Sequence, residues 1–574
     1  MGFIAKYLLK YKKTLFFDFL MVFGFILAEL GLPTLLAKII NVGIPKKDST
    51  VVNQIIFWMI VFNFISVVMT IILNYLVAQI SSSIMRDMRN DLFQHIQTFS
   101  HREYERIGIS TLITRLTNDP FQIYLFITQI LRMGLITPVM FTASIVMIMR
   151  TSPSLSIFVW LSLPIMVVFM WILTKITEPL SKRQQANLDG INEVFRENLS
   201  GFRVIRAFVR EKFIGDRFGN VNLNYQKSTK HLFKLLAAAD PGFTILFNIV
   251  SAMVLFSGAL QIQSGVLELG DLIAFFDYIF HMLFSFMLLA MVLTMFPRAN
   301  VSGKRIKEVL ALSSSVKDLG EVSIPGGIEA LTFKGVSFRY AEEEGNVLSG
   351  VSVSVQKGET LAVVGGTGSG KSTFIQLVSR VFDRTGGEIL LNGIPIEEFR
   401  LNELRETIGM IPQKAQLYSG TIRENLLFGK SDADEEALLE GLKVADADRF
   451  VLEKESGLDS QITEGGTNFS GGQRQRLSIA RAIVRNPSLF IFDDSFSALD
   501  AKTDRRVRQN LKVFAKHAIT IIVAQRISTI MDATKILVLN DGEVEAIGTH
   551  DELLKISNTY RELAESQLTK EELY

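Results

Sequence analysis

The chain has 574 residues, 48% of them hydrophobic and 21% charged, with 60 basic against 58 acidic side chains and a mean hydropathy of +0.29. Those figures divide naturally into a membrane portion plus one soluble domain. A net charge of +2 gives no ground for a nucleic-acid partner, the absence of cysteine excludes disulfides and thiolate metal sites, and the six histidines show no metal-ligand spacing.

In chain order, six apolar stretches are long enough to span a bilayer: Leu15 to Ile44, Ile55 to Ile80, Ile130 to Met149, Leu155 to Ile176, Pro241 to Ile262 and Leu272 to Phe296. The first is too long for a signal peptide, lacks a small-residue cleavage site and belongs to a series. Lys6, Lys10, Lys12 and Lys13 precede it. Arg86, Arg89, Arg102, Arg106 and Arg115 lie between the second and third spans, and a further basic set from Lys175 to Lys234 lies between the fourth and fifth. Only Lys46, Lys47 and Arg150 fall in the opposite loops, so both termini are expected in the cytoplasm, with the chain multi-pass in the cytoplasmic (inner) membrane. The two inner loops are long and keep helical periodicity, so the spans are expected to continue into the cytoplasm as helices. Ionisable residues at membrane depth are Glu29, Arg132, Asp240, Asp277 and His281; Asp277 and His281 share a helix face. Their role stays open between cargo or gating and an interhelical contact.

The polar stretch SSSVKDLGEVSIPGG, 313–327, has neither helical nor strand period and reads as a linker. The expected division is a transmembrane domain over 1–312, that linker, and a soluble domain over 328–574. The soluble part should begin β-rich, continue with a phosphate loop and its helix and then a helical stretch, and finish with three strands. The tail ESQLTKEELY is expected to be loose.

Its motifs carry the chemistry. The apolar run LAVV enters GGTGSGKST, which fits G-x-x-x-x-G-K-[ST] from Gly365 to Ser372. Glycines let the backbone of Gly365, Gly366, Thr367, Gly368, Ser369 and Gly370 curl so that N–H groups point at phosphate oxygens. Lys371 supplies a point charge, the Ser372 hydroxyl is placed to ligate Mg²⁺, and Thr373 follows at the start of a helix. In LFIFDDS, Asp493 ends a second apolar strand, where it would hold Mg²⁺ through water. Asp494 follows it, and IIVAQR ends a third strand on Gln525.

With the run FSGGQRQR, Phe469 to Arg476, these motifs resemble ABC transporters, whose signature is usually LSGGQ. The resemblance covers essentially the whole chain. It implies a six-span α-helical transmembrane domain followed by an α/β nucleotide-binding cassette, with ATP and Mg²⁺ as cofactors. It casts Tyr340 as the aromatic that stacks on adenine, and Gln413 as the residue joining the Mg²⁺ site to the membrane domain. Asp500 falls in the loop crossing between two cassettes, and Glu464 sits where the cassette meets a transmembrane partner. FSHREYERIGISTLITRLTNDP and ENLSGFRVIRAFVREKF resemble intracellular loops in which a short transverse helix docks on the cassettes, with contacts expected near Gly108 to Thr114 and Phe202 to Phe208.

Two positions depart from the family pattern. After the Mg²⁺-site aspartate the family usually has Glu as general base, where this chain has Asp494; the switch residue is usually His, where it has Gln525. A carboxylate one methylene shorter retreats by roughly 1 Å, which can cost about 10²-fold in rate. Gln525 can donate a hydrogen bond but cannot become a cation. In the family each ATP is sandwiched between one chain's phosphate loop and the other's signature. Both altered residues therefore belong to one site, while Ser470, Gly471, Gly472 and Gln473 serve the other.

The resemblance narrows to the degenerate-site subunit of a heterodimeric bacterial exporter of amphipathic or hydrophobic compounds, multidrug- or lipid-exporter-like. Its partner would be a non-identical half-transporter carrying Glu and His. An ATP-gated membrane regulator or channel is the alternative; the lack of a long charged insert and of a charge-lined span favours export.

Overall fold

The computed structural model describes residues 2–324, 326–341, 343 and 345–568, and divides into two compact units. The first comprises Met1–His95 and Ser110–Ala311; the second comprises Ile96–Ile109 and Leu312–Tyr574.

The first unit is all helical. Among the described residues six helices are long and apolar enough to cross a membrane: Lys12–Lys46, Ser49–Gln97, Ile109–Thr151, Ser156–Ser200, Glu211–Gln263 and the window Leu269–Leu288. Those beginning at Ser49, Ser156 and Glu211 run for 49, 45 and 53 residues. At 1.5 Å per residue each exceeds about 65 Å, twice a hydrocarbon core of about 30 Å. Their membrane-depth faces are apolar and outward, as with Phe57, Ile60, Phe64 and Ile71 on the second span, and that is the surface lipid requires. Pro33 and Pro138 lie in the first and third spans. Each of these spans also contains a π-helical turn, Ile39–Gly43 and Ile130–Gly134.

The second unit is α/β. Its strands are β1 Ala330–Phe338, β2 Leu348–Gln356, β3 Thr360–Gly365, β4 Gly386–Leu391, β5 Ile394–Pro395, β6 Ile408–Ile411, β7 Gly420–Thr421, β8 Gln461–Ile462, β9 Leu489–Asp493, β10 Ile519–Val523, β11 Lys535–Asn540 and β12 Glu543–Gly548. An antiparallel sheet has the order β2-β1-β4-β5, and a six-stranded sheet the order β12-β11-β3-β10-β9-β6. The latter is parallel except at β12, which pairs antiparallel with β11, so four strands rather than three follow the signature helix.

Along β3, Ala362 and Val364 enter one hydrophobic core while Leu361 and Val363 enter another. Burial on both faces explains why LAVV is continuously apolar rather than alternating.

The polar stretch after Ala311 forms no helix, yet it is packed. Val322 bridges to Phe399, Val316 is buried, and a Cβ at Gly320 would lie 2.1 Å from the Phe399 carbonyl oxygen. Of the tail expected to be loose, Glu565 to Gln567 complete the helix Asn558–Gln567, and the residues from 569 onward lie outside the described ones.

Two short helices, His101–Ile107 and Phe202–Ala207, fall in the segments expected to carry transverse helices. The first corrects the expected contact centre at Gly108 to Thr114. Ser100 and Glu103 form a capping box that starts the helix, and Gly108, at φ 81°, ends it. Residues 109–114 instead begin the long helix Ile109–Gln129. The packed residues are earlier: the Ser315 N–H donates to Glu103 Oε1 at 3.2 Å, Ser100 and Ser315 share a 2.7 Å hydroxyl bond, and His101 stands edge-on to Phe382 at 5.7 Å.

Candidate nucleotide site

Parallel pairing aligns the carboxyl ends of four strands. Val523 lies beside Val363 on one side and Asp493 on the other, while Ile411 lies beside Phe492. The chain therefore leaves the sheet at Gly365, Gln413, Asp494 and Gln525 on a common edge, the usual place for ligands in α/β sheets.

The loop after β3 needs its glycines. A Cβ at Gly365 would lie 2.1 Å from the Leu539 carbonyl oxygen, and one at Gly370 would lie 2.9 Å from that of Val347. Gly368 and Gly370 sit at φ 85° and 94°, in the left-handed region. Gly370 caps the helix Lys371–Val378, whose N-terminus faces the loop. Lys371 Nζ folds over the loop, donating to the carbonyls of Gly365 at 2.9 Å and Gly366 at 2.6 Å. Burial lowers the ammonium's pKa, with Asp494 and Asp493 opposing. Ser372 is exposed, as are Gly366 and Thr367, whereas Ser369 and Thr373 are buried. A glycine cradle that excludes Cβ atoms, a helix N-terminus, a lysine and a free hydroxyl together fit a polyphosphate with its cation.

Beside the cradle, burial raises the pKa of Asp493, as does Asp494, against the lowering effect of Lys371. A cation there would relieve a pair of adjacent carboxylates, one buried and one half-buried. Asp494 is itself buried, at φ 46°, and its carboxylate oxygen Oδ2 accepts from Gln413 Nε2 at 3.1 Å. Tyr340 places its hydroxyl 2.9 Å from that of Thr373 and packs its ring edge-on against Phe338 and Phe382.

The signature stands apart. Ser470 caps the helix Gly471–Val484, accepting from the Gln473 N–H at 3.2 Å while Gln473 Oε1 accepts from the Ser470 N–H at 3.0 Å. Ser470 and Gly471 are exposed, and Gly472 and Gln473 are half-buried. Among the described residues no hydrogen bond joins them to the phosphate loop. Asp500 caps the helix Ala501–Phe514 through the Thr503 N–H at 3.0 Å, and Glu464 is exposed in a 3₁₀ turn.

Three positioning residues were not singled out from sequence. Gln475 on the signature helix donates to the Pro412 carbonyl at 3.2 Å, and the Ser495 hydroxyl donates to the Ile411 carbonyl at 2.8 Å, so both fix the chain immediately before Gln413. Gln567 holds the backbone at Gln525 in the same way. For Gln475 the signal was available: a polar side chain on the inward face of an apolar-spaced helix.

The fold and this site define a transmembrane half-transporter joined to a nucleotide-binding cassette. Residues 15–287 match the family described as ABC transporter transmembrane region, and 348–497 match ABC transporter. An uncharacterised ABC transporter ATP-binding protein of Mycobacterium tuberculosis is 38% identical over 548 residues, 94% of each chain. YfiB of Bacillus subtilis is 36% identical over 95% of this chain and 94% of its own length. An ATP-dependent lipid A-core flippase of Mannheimia succiniciproducens is 30% identical over 94% of this chain and 93% of its own. A solved bacterial Atm1-family ABC exporter with ATP bound has the same fold, with a TM-score of 0.81 at 23% identity over 98% of this chain and 99% of its own. The chain belongs to the ABC transporter family, with the half-transporter architecture of its exporters.

Proposed function

We propose that the chain is one half of a heterodimeric exporter that moves amphipathic or hydrophobic compounds out across the cytoplasmic membrane, and that its own ATP site holds nucleotide but cleaves it slowly. The observation that carries this reading is the state of Asp494. Its short carboxylate is buried and held by Gln413 at 3.1 Å, and the strand end where a histidine would stand carries Gln525. Binding ATP is the work of the loop from Gly365 to Thr373, with Tyr340 beside the base. Ser372, Gln413 and Asp493 would hold Mg²⁺, which when bound would neutralise charge developing on the phosphates. Ser470, Gly471, Gly472 and Gln473 project toward the partner's ATP, and Asp500 lies on the same crossing.

ATP sandwiching then favours one membrane-domain state and hydrolysis at the partner's site resets it. The helix His101–Ile107, fastened through Glu103 and Ser315, is the first mechanical link. Purified alone, the chain should bind ATP with Mg²⁺ and turn it over poorly, and a partner carrying Glu and His should restore turnover. Equal turnover with and without the partner would refute the pairing.

A further inference from the structure

The sixth span, within the helix Leu269–Ala311, is covered on three sides. Leu272 packs where a Cβ at Gly258 of the fifth span would lie 2.5 Å away, the Tyr278 hydroxyl meets that of Thr34 on the first span at 2.7 Å, and Phe286 meets Phe141 on the third at 6.4 Å. The remaining side carries Asp277, Phe280 and Phe284, at i, i+3 and i+7 of one helix face. Asp277 is exposed, and the two rings are 50% and 42% exposed. These rings lie nearly parallel, 9° apart with centroids at 5.7 Å. Phe247 of the fifth span meets Phe280 edge-on at 6.2 Å, as does His281 at 5.9 Å.

Asp277 lies eight residues inside the helix that starts at Leu269, about 12 Å along its axis and therefore at membrane depth. A carboxylate turned to lipid there is strongly disfavoured. The face bearing it accordingly borders the interior of the transporter. Arg132, the basic residue of the third span, is 18 positions from Arg150, about 27 Å from that span's outer end, so it sits at another depth.

We propose that Asp277, Phe280 and Phe284 form a cargo subsite that selects lipophilic monocations. The carboxylate supplies the counter-charge. The two partly exposed rings, one and two turns away, supply cation–π attraction, which is stronger where water is excluded. Substrates with delocalised or shielded positive charge fit this chemistry, because they give up little hydration on entering. The proposal rests on the exporter reading but not on the assignment of the slow ATP site.

The test uses the transporter assembled with its partner in lipid nanodiscs, without nucleotide. The probes are tetraphenylphosphonium and tetraphenylborate, which share size and shape and differ in charge. Radiolabelled phosphonium should bind at least tenfold tighter than the borate. Asp277→Asn should lower phosphonium affinity about tenfold or more and raise borate affinity, leaving ATP binding unchanged. Phe280→Leu and Phe284→Leu should each lower phosphonium affinity about three- to tenfold. Equal affinity for the two probes in the wild type, or unchanged phosphonium binding in Asp277→Asn, overturns the proposal. Should Asp277→Asn fail to assemble while both leucine variants keep full affinity, the carboxylate belongs to a subunit contact and the proposal falls. Failure of the exporter reading itself would show separately, as absence of ATP-dependent phosphonium uptake into inverted vesicles of an assembled wild type that binds it.

Discussion

The side-chain amide of Gln567 clamps the backbone at Gln525. Its Nε2 donates to the Gln525 carbonyl at 2.8 Å, and its Oε1 accepts from the Ile527 N–H at 2.9 Å. The helix Asn558–Gln567 thus fixes the strand end at Gln525. Gln567→Leu keeps the volume and removes both bonds, at a cost of about 1–3 kcal/mol in stability. Bound ATP should leave this chain's site several-fold faster, which filter retention of labelled nucleotide after dilution would measure. An unchanged release rate would mean the amide only fastens the helix.

The two ATP sites should respond differently to loss of a single group. On the proposed pairing Ser470 would face the partner's nucleotide, so Ser470→Ala removes a donor that stabilises developing charge and should lower steady-state ATPase of the assembled pair by about 10²-fold or more. On the same proposal Asp494→Ala touches a base that is already badly placed and should cost far less. If Asp494→Ala abolished turnover and Ser470→Ala spared it, the two sites would have been assigned the wrong way round.

Coupling should run through Glu103. Glu103→Ala removes the acceptor of the Ser100 and Ser315 bonds and should leave ATP binding intact while lowering transport per ATP cleaved. Vesicle uptake and phosphate release measured in parallel decide it. Normal coupling in a well-folded variant would show that the helix His101–Ile107 does not transmit force.

The same residue gives a pH signature. Burial alone would raise Glu103, but hydrogen bonds from Ser100 and Ser315 outweigh it and hold the carboxyl below its ordinary 4.5. A depressed carboxylate contributes its full stability above the unfolded value and loses it as pH falls through the folded one. The difference in melting temperature between wild type and Glu103→Gln should therefore be constant near neutrality and shrink below about pH 4.5. A difference independent of pH down to pH 3 would contradict the hydrogen-bond account.

Much of this was legible in the sequence because the informative features are local. LAVV, LFIFD and IIVAQ are short apolar runs, each ending on or just before a residue of the site, and parallel pairing brings those ends together. The spans were countable from composition, but the full lengths of the helices were not fixed by hydropathy, since beyond the bilayer it is packing that extends Ser49–Gln97 and Glu211–Gln263. The docking segment was misplaced although its signals were present: Ser100 and Glu103 at capping-box spacing, then Gly108. Gln567 gave no such signal, because its partner lies 42 residues away and is backbone. The exposure of Asp277 beside two stacked phenyl rings likewise depends on which sides of the sixth span its neighbours cover.

The central claim is that Asp494 and Gln525 make this chain's site slow. In partner-free protein every composite site contains both residues together with an intact signature, so the chain is its own control. The measurement is steady-state ATPase of purified partner-free chain against the double variant Asp494→Glu, Gln525→His, at saturating ATP and Mg²⁺. The account predicts that both bind ATP with similar affinity and that the double variant turns over about 10²-fold faster. Brisk hydrolysis by the unaltered chain, with no gain in the double variant, would contradict it.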